Sequence, residues 1–189
     1  MDDKKEERIA VFIDGSNFYH IIRNLFPDKK PNDFNFEKFC SFLVGNRKLV
    51  KIYYYNVPLQ RKKNEEKYIK QQKFFDKIKR ITNFNLILCR MQKQKIDGKI
   101  VYIAKEDDIQ LAVDTVKLAY KNFYDTAIIV SSDGDFAPAI LAIKEIGKKA
   151  ENIGFENKFS YHLKQKCDKF IKLKKDILDK FFEEKQQTG

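Results

Sequence analysis

Two apolar segments of the chain each run directly into acidic residues, a pattern that can build a cation site. Residues 127–130 are apolar and are followed by Asp133 and Asp135, and the apolar residues 9–13 are followed by Asp14. Apolar runs of this kind predict buried parallel strands, and ligands of α/β proteins lie beyond the carboxyl ends of such strands. Carboxylates that are brought together repel each other, so this clustering implies a bound divalent cation or raised pKa values.

A third source of acid is the segment 106–120, whose spacing predicts a helix. Asp108 lies in the first turn, at the edge of an apolar stripe that we expect to face the core. The stripe consists of Ile109, Ala112, Val113, Val116, Ala119 and Tyr120. Asp114 lies about 120° around the same helix at ~100° per residue, so we expect it to support the site rather than to bind the cation.

Each acidic residue taken alone also has a simpler explanation. Asp107 and Asp108 in a first turn complement the helix dipole. Asp133 and Asp135 are suited to capping the helix that follows them. Their combination with Asp14, at the end of another strand, favours the site.

The residues after Asp14 begin the first predicted helix, for which Ser16 and Asn17 are the candidate N-caps. Asn17 can alternatively donate a hydrogen bond to a metal-bound water or to a scissile phosphate. The sequence leaves both roles of Asn17 open.

The composition predicts one globular domain in the cytoplasm. A chain of 189 residues, of which 43% are hydrophobic, can bury a substantial core. No apolar stretch approaches the ~20 residues that span a bilayer, and the charged start of the sequence shows no signal segment. The three cysteines, an odd number without metal-ligand spacing, indicate reduced thiols.

The net charge of +11 is concentrated in one part of the chain. Residues 61–105 contain 14 Lys and Arg against four Asp and Glu, whereas the rest of the chain is close to neutral. Such a local excess is typical of a surface that binds a phosphate backbone, although solvated Lys-rich helix faces give a similar composition. We expect the backbone to be held by Lys62, Lys63, Lys67, Arg90, Lys93 and Lys105.

Strands alternate with helices in the predicted order of elements, which favours an α/β fold with a mostly parallel sheet. Strands are predicted at about residues 8–13, 49–57, 84–89, 126–131, 149–153 and 169–173. The longer helices are predicted at 62–80, 106–120 and 135–146, and a hairpin with an Asp97–Gly98 turn at 90–103. We expect a C-terminal helix at 174–186 to pack on its own domain, with a homodimer interface as the alternative.

Three motifs, at residues 12–17, 105–114 and 130–136, together resemble the NYN domain of the PIN-like nuclease superfamily, and its bacterial LabA-like group in particular. The resemblance covers about residues 8–173. It implies a three-layer α/β/α sandwich over residues 1–173, followed by the helical segment 174–189. It also implies a Mg²⁺ or Mn²⁺ site and cleavage of RNA.

The resemblance assigns the acidic positions of the family to Asp14, Asp108, Asp133 and Asp135, as both metal ligands and catalytic residues. Asn17 falls on its polar position. The chain departs from the common Lys-Gly-Val-Asp pattern, because Glu106 and Asp107 stand before Asp108. The predicted function is a metal-dependent endoribonuclease, and the alternative is a PIN-like module that binds RNA or protein without cleaving it.

Overall fold

A computed structural model describes residues 6–96, 99–104 and 106–183, with the backbone alone described within 91–104. The strands are β1 Arg8–Asp14, β2 Lys48–Asn56, β3 Phe84–Leu88, β4 Met91–Ile96, β5 Lys99–Ala104, β6 Thr126–Val130, β7 Lys149–Phe155 and β8 Lys169–Leu173. The helices are α1 Gly15–Leu25, α2 Phe36–Val44, α3 Glu65–Ile78, α4 Asp107–Tyr120, α5 Ala137–Glu145, α6 Tyr161–Lys166 and α7 Lys175–Asp179.

The central sheet has six strands in the order β3-β2-β1-β6-β7-β8, and every neighbouring pair is parallel. The chain builds outward from β1 on one side and from β6 on the other, so the direction of winding reverses between β1 and β6. Crevices for ligands form beyond the carboxyl ends of the strands at such a reversal. The predicted α/β class and mostly parallel sheet are confirmed.

Apolar side chains cover both faces of the sheet, which gives the three-layer sandwich. One core cluster includes Phe18 of α1, Phe39 of α2, Phe75 of α3 and Leu178 of α7. The other includes Leu111 of α4, Ile140 of α5 and Leu163 of α6. The antiparallel pair β4–β5 forms a separate small sheet, as expected of the hairpin, and its Asp97–Gly98 turn lies outside the described residues.

Helix α4 presents a different face to the core than its apolar stripe predicts. Its buried residues are Asp107, Leu111, Thr115 and Ala119, which recur at every fourth position. Ile109, Val113 and Tyr120 are 66%, 52% and 82% exposed, so the prediction that they face the core is wrong. The buried face consists mostly of short side chains, and the Thr115 hydroxyl is satisfied because it donates to Leu111 O at 2.8 Å.

The C-terminal helix is shorter than the predicted 174–186, because α7 ends at Asp179. The following residues pair with the loop before α2 instead. Asn35 N donates to Phe181 O at 2.7 Å, and Glu183 N donates to Asp33 O at 3.0 Å. Residues 184–189 lie outside the described part of the chain.

The helix predicted from residue 135 also begins later than expected. A short 3₁₀ turn, Gly134–Phe136, comes first, and α5 begins at Ala137. Within the described residues, no helix combines the length and the apolar character that crossing a bilayer requires.

Candidate functional site

Asp14 is the last residue of β1 and lies at the reversal between β1 and β6. Its carboxylate is 5% exposed. Oδ1 accepts a hydrogen bond from Asn17 N at 2.9 Å, and Oδ2 accepts one from Ser131 Oγ at 3.0 Å. Asp14 is therefore itself the N-cap of α1, and the expectation that Ser16 or Asn17 caps this helix is wrong.

The fold forces α1 to start immediately after Asp14, and Gly15 makes this possible. A Cβ atom at Gly15 would lie 2.4 Å from Tyr54 Cε1 and 2.5 Å from Tyr55 O. Only a residue without a side chain fits against β2 at this point. The close contact holds Asp14 at the mouth of the crevice.

Ser131 joins the two acidic strand ends. Its hydroxyl donates to Asp14 and accepts a hydrogen bond from Asp133 N at 3.0 Å. Asp133 Oδ1 in turn accepts from Asp135 N at 3.0 Å, so Asp133 caps the 3₁₀ turn that precedes α5. The Ser131 side chain thus links the Asp14 carboxylate to the backbone of Asp133.

Asn17 is tied to the same loop by its side-chain oxygen. Asn17 Oδ1 accepts a hydrogen bond from Ser132 N at 3.2 Å, and the Ser132 hydroxyl donates to Lys158 O at 2.6 Å. Because its oxygen is engaged, the group that Asn17 can offer a ligand is its amide NH₂, which is a donor.

Two carboxylates enter the site from the first turn of α4. Asp107 is 5% exposed and accepts a hydrogen bond from Ser16 Oγ at 3.1 Å. Asp108 is exposed at the helix end, toward Asp133 and Asp135, whose charges act on it. The sequence pattern assigned the inward position to Asp108 and only a dipole role to Asp107, whereas Asp107 is the more buried of the two.

Burial raises the pKa values of two of these carboxylates, and no cationic side chain among the described residues pairs with them. Burial raises the pKa of Asp14 to about 7, and the Asp108 and Asp107 charges add to this, whereas the hydrogen bonds from Asn17 and Ser131 oppose it. Partial burial, followed by the charges of Asp107, Asp133 and Asp135, raises the pKa of Asp108 to about 6. No ion pair among the described residues involves a carboxylate of the site, that is Asp14, Asp107, Asp108, Asp133 or Asp135.

Asp114 lies further along α4 and bonds to β2. It accepts a hydrogen bond from Tyr55 OH at 3.1 Å, and its charge raises the pKa values of Tyr53 and Tyr55, for which burial is the larger cause. The supportive role of Asp114 stays a prediction.

The donor set suits a hard divalent cation, since all of its side-chain donors are carboxylate oxygens. Within the part of the chain that the structure describes, however, no three Asp, Glu, His or Cys side chains converge closely enough to hold one ion. The set therefore fits Mg²⁺ or Mn²⁺ in the chemistry of its donors, whereas its spacing among the described residues does not yet form a site for one ion.

Three of the predicted phosphate-binding residues lie between β2 and the first turn of α3. Lys62 and Lys63 are exposed in the turn before α3, and Lys67 is exposed within its first turn. This segment follows the carboxyl end of β2, where Tyr55 pairs with Asp14 of β1. These lysines therefore lie beyond the carboxyl ends of the strands, on the same side of the sheet as the carboxylates.

The remaining predicted basic residues lie around the hairpin. Arg90 N donates to Glu106 Oε2 at 3.2 Å, which places Arg90 beside the start of α4. The side chain of Lys93 and the whole of Lys105 lie outside the described residues.

Sequence reasoning missed Asp107, Ser16 and Ser131 as parts of this site. The every-fourth spacing of Asp107, Leu111, Thr115 and Ala119 was a signal that Asp107 faces inward, but apolar periodicity outweighed it. Ser131 carried no signal of its own beyond its position between the strand and the acidic pair.

The described residues form a three-layer α/β/α domain with acidic residues at the carboxyl ends of its two central strands. A family model for the NYN domain matches residues 8–174, and the chain belongs to the NYN family of PIN-like nucleases. A solved structure of a protein of unknown function from Vibrio parahaemolyticus is similar with a TM-score of 0.65 and 23% identity, over 92% of this chain and 96% of that one. At this identity the similarity shows the fold alone.

The chain is also similar in sequence to an uncharacterized protein of Methanocaldococcus jannaschii. It is 41% identical over 70 residues, which is 37% of this chain and 29% of the archaeal protein. The chain thus matches less than a third of that relative's length.

Proposed function

We propose that this protein is a Mg²⁺- or Mn²⁺-dependent endoribonuclease. The observation that carries the proposal is that Ser131, at the reversal of the sheet, bonds to both the Asp14 carboxylate and the Asp133 backbone N, while neither Asp has a cationic partner among the described residues. Membership of the NYN family supports a nuclease. The position of the site at the ends of β1 and β6 agrees with where α/β folds bind ligands.

In this proposal Asp14, Asp108, Asp133 and Asp135 hold the cation, and Asp107 adds negative charge behind them. When bound, the cation offsets the negative charge that develops on the phosphoryl oxygens during hydrolysis. The Asn17 NH₂ group donates to a phosphate oxygen, because its carbonyl oxygen is engaged by Ser132. Ser131 keeps the Asp14 carboxylate oriented toward the crevice.

The lysines beyond the carboxyl end of β2, on the same side of the sheet as the carboxylates, bind the RNA backbone on either side of the cleaved bond. Lys62, Lys63 and Lys67 supply this charge before and within the start of α3, and Arg90 supplies it beside α4. Lys93 and Lys105 join them in the proposal on the strength of the sequence pattern. The cations then attract the polyanion while the carboxylates bind the dication.

The experiment is cleavage of end-labelled single-stranded RNA by the full chain with Mn²⁺, with Mg²⁺ and with EDTA. We expect cleavage with either metal and none with EDTA. Asp14→Asn should abolish cleavage while RNA binding is retained, and the matched control Asp179→Asn, an exposed residue of α7, should cleave as the wild type does.

A second function, an RNA-binding module without catalysis, is favoured by one observation. The carboxylates of the described residues do not converge on a single ion position. RNA binding by the wild type without cleavage under any divalent metal would support the module and contradict the nuclease.

A further inference from the structure

Asn152 is a polar residue at a place in the sheet where an apolar one is expected. It lies in the middle of β7, opposite Ile129 of β6, and is 0% exposed. Central parallel strands favour Val and Ile, and Asn is depleted in strands. Its presence therefore requires a specific contact.

The side chain of Asn152 reaches across to the end of β6. Its Nδ2 donates to Ile129 O at 3.1 Å and to Ser131 O at 3.0 Å. Ser131 lies beyond the last residue of β6, so its carbonyl has left the regular strand pairing. Asn152 thus holds the peptide of the residue whose hydroxyl connects Asp14 with Asp133.

This contact leaves the other half of the amide unsatisfied. Asn152 Oδ1 is buried and has no hydrogen-bond partner among the described residues. An unpaired buried acceptor costs about 1–3 kcal/mol. The two hydrogen bonds from Nδ2 must offset that cost, so the specific role of the amide at this position is its contact with the carbonyls of Ile129 and Ser131.

We infer that Asn152 is a positioning residue of the crevice, which acts through Ser131. By fixing the Ser131 peptide, it directs the Ser131 hydroxyl between the Asp14 carboxylate and Asp133 N. The inference rests on the proposed function, because it assigns Asn152 to the alignment of the carboxylates that bind the cation.

The test replaces Asn152 with Leu, which is close to Asn in shape, and measures direct Mn²⁺ binding by electron paramagnetic resonance. Asn152→Leu removes the unpaired oxygen, but it also leaves Ile129 O and Ser131 O without this donor, so we expect a lower melting temperature and measure binding well below it. Mn²⁺ affinity should fall about tenfold. Thr126→Val is the matched control, because Thr126 is a buried polar residue at the other end of β6 and bonds to Glu7; it should leave Mn²⁺ affinity unchanged.

A double substitution tests whether Asn152 acts through Ser131. Ser131→Ala alone should weaken Mn²⁺ binding, and adding Asn152→Leu should weaken it no further, because the hydroxyl that Asn152 positions is already absent. Additive losses in the double variant would contradict a role through Ser131.

The outcomes separate the inference from the proposed function. A wild type that neither binds Mn²⁺ nor cleaves RNA overturns the proposed function. A wild type that binds Mn²⁺ while Asn152→Leu binds it equally well overturns the inference alone. If Asn152→Leu does not fold, the side-chain amide resonance of Asn152 in the wild type decides: a shift on Mg²⁺ addition supports the inference, and an unmoved resonance overturns it.

Discussion

Carboxylates at the amino ends of the parallel strands have arginine partners, whereas within the described part of the chain those at the carboxyl ends of β1 and β6 do not. At the amino end, Asp125 accepts from Arg8 Nη2 at 2.8 Å and from Arg8 Nε at 3.0 Å. Glu151 is held there by both terminal nitrogens of Arg47, at 2.7 and 3.1 Å. At the carboxyl end, Asp14 and its neighbours have no cationic partner among the described residues.

The difference shows which acidic residues serve the fold. The hydrogen bond from Arg8 lowers the pKa of Asp125, so the folded protein favours its charge. Burial raises the pKa of Asp14 to about 7, so the folded protein opposes its charge. The acids at the amino end are therefore paired within the fold, whereas those at the carboxyl end are the group that the proposed function assigns to an external cation.

The largest expected effect is on catalysis at the unpaired end. Asp14→Asn removes the carboxylate that Ser131 and Asn17 orient, and we expect RNA cleavage with Mn²⁺ to fall by about 10²–10³-fold or more. Single-turnover cleavage kinetics measure this. Cleavage by Asp14→Asn at the rate of Asp179→Asn would contradict the role of Asp14.

The pH dependence of stability should differ between the two ends. The raised pKa of Asp14 means that the folded state binds its proton more tightly than the unfolded state does, so stability falls as pH rises from about 4 to about 7. Relative to Asp14→Asn, the wild type should lose on the order of 3 kcal/mol across this window in EDTA. Urea unfolding at each pH measures it.

The lowered pKa of Asp125 gives the opposite sign in a different window. Its contribution to stability is present above the unfolded pKa, near 4, and is lost as pH falls further. For Asp14, a free energy of unfolding that differs from that of Asp14→Asn by the same amount at pH 4 and pH 7 would contradict the raised pKa.

At the paired end, Arg47→Met should destabilise the fold by about 2–3 kcal/mol. The substitution leaves Glu151, whose side chain is 9% exposed, without a cation, and it removes the donors to Leu43 O and Val44 O. Lys70→Met, which breaks an exposed pair with Glu66, is the control and should cost about 0.5 kcal/mol or less. Equal urea midpoints for the two variants would contradict the comparison.

The smallest expected effect is on RNA affinity. The double substitution Lys62→Gln and Lys67→Gln removes two positive charges beyond the carboxyl end of β2. The slope of log affinity against log salt should therefore become less steep by about 1.4 for single-stranded RNA. Fluorescence anisotropy at several salt concentrations measures it. Lys48→Gln with Lys169→Gln, at the amino ends of β2 and β8, should leave the slope unchanged; equal effects of both pairs would indicate non-specific attraction.

The order of strands and helices could be predicted because the two central strands are short apolar runs that end at polar residues, and other strands such as β2 and β8 carry β-branched and aromatic residues. The two central runs are residues 9–13 and 127–130. The rule for strand ends then predicts that the acids after them lie at one edge, and Ser131 connects them there.

Helix α4 shows why the rest could not be predicted. Helical spacing reveals which residues share a face, but it does not reveal which face the neighbouring sheet accepts. The sheet accepts the face with Leu111, Thr115 and Ala119, which carries Asp107 inward and leaves Ile109 and Tyr120 exposed.

The end of the chain and Asn152 illustrate a second limit. Helix α7 stops at Asp179 because the next residues pair with Asn35 and Asp33, which are remote in sequence. The partners of Asn152 are likewise on another strand. Contacts between distant segments leave no periodic signal in a single sequence.

The proposed cation site is tested most directly by soaking a crystal of the full chain in Mn²⁺ and collecting anomalous diffraction data near the manganese absorption edge. We expect anomalous density in the crevice between Asp14, Asp108 and Asp133. A crevice without such density, or one in which a lysine ammonium group occupies the position between these carboxylates, would contradict the proposed site.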